Sequence, residues 1–76
     1  MYDKYLEVFI ETFNVSAEQA VTLAYQDIPD WDSVGHMQMI AALEEAFDIM
    51  LDMEDIIDFG SFEKGKEILR KYDVEL

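Results

Sequence analysis

Between Tyr2 and Phe13 the apolar side chains Tyr2, Tyr5, Leu6, Phe9 and Phe13 recur at spacings of three and four, and nowhere does the chain alternate apolar and polar residues as a strand would. That spacing gathers large side chains on one stripe of a helix. Asp3, Glu7 and Glu11 fall at i, i+4 on another face, which water covers. A chain made of such segments must bury helix against helix. At 76 residues, folding buries roughly 60% of the surface of the unfolded chain, and the 51% of residues that are hydrophobic are enough for one core. The expected fold is all-α: a small four-helix bundle of three main helices and one short one, in a single domain spanning residues 1–76.

Punctuation along the chain sets the other elements. Asn14 stops the first helix. Ser16-Ala17-Glu18-Gln19 is a capping-box pattern that starts a short helical turn over Ala17 to Ala20. Val21 to Asp30 reads as an irregular connection anchored by Leu23, Tyr25 and Ile28 and ended by Pro29 and the Asp/Trp cluster. The second main helix runs from about Ser33 to Phe47, with Asp32 or Ser33 capping it. Gly35 in its first turn costs about 1 kcal/mol relative to alanine. Asp52 to Ile57 is a short acidic helix. Ser61 caps the last one, Phe62 to Tyr72, whose Phe62, Gly65, Ile68, Leu69 and Tyr72 face inward and whose Glu67 and Lys71 form a favourable i, i+4 pair.

Charge narrows the function classes. Eighteen acids against five bases give a net charge of −13, and no lysine or arginine occurs from Tyr5 through Glu63. Such a surface repels nucleic acid and anionic membranes and attracts proteins with basic patches. The absence of cysteine removes disulfides and thiolate zinc sites. The apolar runs are too short to cross a bilayer, and Met1-Tyr2-Asp3-Lys4 does not open a secretory signal. The expected setting is a cytoplasmic monomer that binds neither nucleic acid nor membrane.

The segment Ser33 to Phe47 carries more apolar surface than one core needs. Wrapped at 100° per residue, Met39, Leu43 and Phe47, with Ile40 at the edge, form a core stripe. Val34, Met37 and Ala41 form a second stripe bordered by Gln38 and Glu45, which reads as a partner surface suited to flexible methionine.

Three chemistries can be weighed near its start. A calcium loop matches at Asp30, Asp32 and Gly35. It fails at Val34, and at Ala41, where a bidentate glutamate is required, so no metal site is expected. Ser33 and His36 are three apart on one helix, but a serine nucleophile also needs an oriented base and an oxyanion hole in a dry pocket, and the chain is not expected to be an enzyme. What remains is Ser33 as an attachment point: a phosphodiester on a serine at a helix N-terminus meets free backbone amides and the positive end of the dipole.

Asp32-Ser33-Val34, followed by Met37, Met39-Ile40, Ala42-Leu43-Glu44-Glu45 and Phe47, resembles the signature of the acyl carrier protein family. The likeness extends over the chain: the leading helix, the long first loop, Ile57-Asp58-Phe59 closing the short acidic helix, and Ser61-Phe62 opening the last. The resemblance implies a four-helix bundle in which Ser33, preceded by Asp32, carries 4′-phosphopantetheine donated from coenzyme A by a Mg²⁺-dependent phosphopantetheinyl transferase. The arm's thiol would hold an acyl group as a thioester. The resemblance also implies that Val34, Met37, Gln38, Ala41 and Glu45 meet partner enzymes with basic patches: acyl-activating ligases, acyltransferases or synthases. Val34 replaces the usual leucine, Gly35 and His36 replace an acid and a small polar residue, and Gln38 replaces a glutamate. Those departures are similar to dedicated carriers of surface-polysaccharide or secondary-metabolite pathways rather than of general fatty acid synthesis. An aminoacyl or peptidyl carrier is the alternative within the class. An unmodified acidic helical adaptor is the alternative outside it.

Overall fold

The computed structural model describes all 76 residues and has five helices and no strands: α1 (Tyr2–Phe13), α2 (Ala17–Ala20), α3 (Ser33–Phe47), α4 (Met53–Asp58) and α5 (Phe62–Arg70). The expected count of four becomes five only because α2, a single turn within the first connection, is a helix in its own right. Its Ser16 cap accepts from the Gln19 amide at 3.1 Å, the forward half of the capping box. The radius of gyration, 11.0 Å, is that of a compact chain of this length, about 11 Å.

Helix ends follow local chemistry. Both α1 and α3 stop at a polar residue in the left-handed region, Asn14 (φ 53°) and Asp48 (φ 55°). The next amides, of Val15 and Ile49, reach back to the carbonyls of Ile10 and Glu44, a Schellman-type closure. α5 ends at Arg70, two residues short of the expected Tyr72, because Lys71, Tyr72 and Asp73 turn back onto the carbonyls of Ile68, Leu69 and Arg70. The expected Glu67–Lys71 pair does not form either. Lys71 reaches Asp55 on α4 instead, at 2.6 Å.

The core is dominated by rings. Tyr5, Phe9 and Phe13 of α1 are buried against Trp31, Phe59 and Phe62. Phe9 meets the Phe62 ring edge-on at 5.0 Å, and Phe13 stacks on Trp31 at 5.0 Å. Aromatic pairs in such geometries contribute about 0.5–1.5 kcal/mol beyond the area they bury. Tyr2, expected in the same stripe, is 37% exposed and meets the Phe62 ring edge-on at 6.2 Å. Phe47 is only half-buried and lies under Lys4, 5.6 Å from its ring. From α3 the core takes Gly35, Met39, Ile40 and Leu43; from α5 it takes Phe62, Gly65, Ile68 and Leu69. The buried Tyr5 hydroxyl donates to the Phe62 carbonyl at 2.6 Å, and burial pushes its pKa well above the usual tyrosine value.

The long first connection is less irregular than its sequence suggests. Tyr25 donates its amide to the Gly60 carbonyl and Phe62 donates to Leu23, both at 2.9 Å. These bonds make an isolated antiparallel bridge between Ala24 and Ser61. They fasten the loop to the start of α5 and bring Tyr25 beside the beginning of α3.

Candidate functional site

Ser33 is the first residue of α3, directly after the cap. The cap is Asp32, whose Oδ1 accepts from the Gly35 amide at 2.8 Å. The Asp32 carbonyl takes the His36 amide at 2.8 Å. The amides of Ser33 and Val34 have no partner within the chain, as helix geometry leaves them. The Ser33 hydroxyl is exposed, and its one side-chain hydrogen-bond partner is the Tyr25 hydroxyl at 3.3 Å. Sequence reasoning took Tyr25 as an apolar anchor. The structure leaves it 39% exposed, with its hydroxyl over Ser33.

The loop lies so close to the α3 start that position 35 must be glycine. A Cβ there would stand 1.9 Å from the Asp30 carbonyl oxygen. Gly35 is buried and His36 half-buried. His36 Nδ1 lies 2.9 Å from Trp31 Nε1, and Nε2 lies 2.8 Å from the Ile56 carbonyl. Indole is only a donor, so Nδ1 accepts, and the proton sits on Nε2, which donates to Ile56. Both ring nitrogens are committed, and His36 has no lone pair with which to activate Ser33.

Beside Ser33 runs a trough of about 390 Å³ between α3 and α4, lined by Tyr25, Ser33, His36, Met37, Met53, Ile56, Ile57, Phe59 and Gly60. Its walls are mostly apolar. Along it Met37 is 51%, Met53 71% and Ile57 71% exposed, a concentration of apolar surface that marks an interaction site more often than chance exposure. The second stripe of α3 lies where helical geometry predicts it: Val34, Met37, Gln38, Ala41 and Glu45 are all exposed, while Met39, Ile40 and Leu43 are buried. The contribution of Met53 and Ile57 was not legible, since nothing local places α4 next to Ser33.

A larger hollow of about 460 Å³ lies between α1 and α3, lined by Lys4, Glu7, Val8, Glu11, Ala42, Glu45 and Ala46. It is distant from Ser33 in the fold and mixed in polarity, so it is the smaller trough that bears on the serine. No group of three His, Cys, Asp or Glu side chains is placed to share a metal ion, and no helix is long and apolar enough to cross a membrane.

α4 is held in place by polar ties. Asp55 accepts from Lys71 Nζ at 2.6 Å and from the Tyr72 hydroxyl at 2.5 Å. Tyr72 Oη in turn accepts the Asp52 amide at 3.0 Å, and Glu44 accepts the Leu51 amide at 2.9 Å. The hydrogen bond from Lys71, then that from Tyr72, holds the Asp55 carboxyl below the usual carboxylate range, and the Asp55 bond raises Lys71.

What these features define is a small all-α protein with an exposed serine at a helix start, bordered by an apolar trough and a Met-rich face. Comparison with protein-family models, with curated proteins and with solved structures finds no match for this chain.

Proposed function

We propose that the chain is a carrier protein of the acyl carrier type, with Ser33 as the point of attachment for 4′-phosphopantetheine. The observation that carries this reading is the setting of Ser33: an exposed hydroxyl at the first position of α3, two unpaired amides beside it, and an apolar trough alongside. A phosphodiester on Ser33 Oγ can turn toward the Ser33 and Val34 amides and toward the Tyr25 hydroxyl, all donors, at the positive end of the α3 dipole. In loading, Ser33 Oγ forms the new phosphoester bond, its proton passes to the transferase, and the nucleotide part of coenzyme A leaves. The arm then supplies the thiol that the chain itself lacks.

Delivery of the cargo falls to the exposed face. Val34, Met37, Gln38, Ala41 and Glu45 run along α3 away from the attachment point, all exposed, and the charge of −13 draws in enzymes with basic patches. The cargo is acyl, with an aminoacyl or peptidyl group as the variant, in fatty acid synthesis or a specialised assembly pathway of the cytoplasm. Incubation with coenzyme A, Mg²⁺ and a phosphopantetheinyl transferase should add the mass of one arm to the wild type and none to Ser33→Ala. No addition to the wild type would leave an unmodified adaptor, binding partners through Val34, Met37, Met53 and Ile57, as the better reading.

A further inference from the structure

The trough beside Ser33 has a floor, and His36 makes it. The His36 ring lies side by side with Trp31, nearly coplanar at 16° and joined edge to edge by the Nε1–Nδ1 bond, and meets Phe59 edge-on at 6.3 Å. Trp31 and Phe59 are fully buried. Through its two nitrogens the ring joins three separate parts of the chain: the end of the first loop at Trp31, the first turn of α3, and the backbone of α4 at Ile56. No buried side-chain nitrogen or oxygen is left without a partner. An apolar chain passing from the trough toward the core would have to break both bonds. It would leave the Trp31 N–H and the Ile56 carbonyl unpaired against an apolar chain that keeps water from them, the costly outcome for polar groups.

We infer that His36 is a specificity-determining floor residue: it shuts the seam between α3 and α4, so an apolar group at Ser33 is confined to the surface trough and never enters the aromatic core. The closure of the seam stands on the geometry alone. Its bearing on cargo rests on the carrier reading above, under which the site favours groups short enough to lie along Met37, Met53 and Ile57 and leaves the far end of a longer chain in water.

Trp31 is the only tryptophan of the chain and lies on the core side of His36, outside the trough lining. Its fluorescence therefore reports whether the floor is crossed. A neutral brominated alcohol, 8-bromo-octan-1-ol, quenches indole only at contact and does not require a loaded arm. In titrations of the wild type, Trp31 should be quenched weakly. In His36→Ala, with helicity checked by circular dichroism, quenching should rise several-fold. His36→Phe, which keeps a ring in the floor but loses both hydrogen bonds, should fall between the two. Strong saturable quenching of the wild type would overturn the inference, whatever the variants do. An Ala variant that folds but is quenched no more than the wild type would also overturn it. Ser33 loading tests the carrier reading separately: a chain that takes no arm but shows the expected quenching keeps the floor and loses the cargo.

Discussion

At Gly35 one hydrogen atom decides whether the first loop can close against α3. The usual expectation for an exposed helical glycine is that alanine stabilises it by up to about 1 kcal/mol. Here a Cβ would press on the Asp30 carbonyl at 1.9 Å, a backbone atom that cannot swing aside. Gly35→Ala should instead lower the unfolding free energy by about 1–3 kcal/mol, as overpacking does, measured by urea denaturation. A stabilised variant would show that the loop yields without cost. Sequence alone gave Gly35 only its helical penalty, because the reason for it lies in the path of a loop five residues upstream. Tyr25 was misread, and the bonds of the half-buried His36 went unread, for the same kind of reason. Each has a partner far along the chain: Gly60, which pins the Tyr25 backbone, and the Ile56 carbonyl, which pairs with His36.

The helices themselves were largely legible. α1, α2 and α3 begin and end within a residue of where periodicity and caps put them, since those signals act within one or two turns. The placement of α4 was not, because its ties run to residues on other elements. The Asp55 cluster makes a testable latch between α4 and the C-terminal turn. The carboxyl of Asp55 titrates below its unfolded value of 3.8, so its contribution is present above that pH and is lost as pH falls through the lower folded value. Lys71 titrates above its unfolded value of 10.5, so its share is present below that pH and is lost as pH rises through the higher folded value. Asp55→Asn should therefore speed amide hydrogen exchange in α4 at neutral pH, and its stability difference from the wild type should shrink in strong acid. Equal exchange in the two proteins at pH 7 would show that His36 and the Leu51–Glu44 bond hold α4 unaided.

For the molecule as a whole, a net charge of −13 works against the compact state. Each acid lies within reach of many others in a body with a radius of gyration of 11.0 Å. The screening length is about 30 Å at 0.01 M salt, about 10 Å at 0.1 M and about 8 Å at 0.15 M. Raising salt from the lowest to the highest of these should therefore raise the melting temperature, by about 4–8 °C for each kcal/mol of repulsion relieved in a domain of this size. A melting temperature indifferent to salt would mean that the acids are already spread widely enough. The bridge between Ala24 and Ser61, together with the packing of Phe62 on Tyr5 and Phe9, has a consequence in time. The aromatic face of α1 and the loop that follows it both find their partners at residues 60–62, so the contacts of longest sequence separation are the ones on which closure of the fold waits.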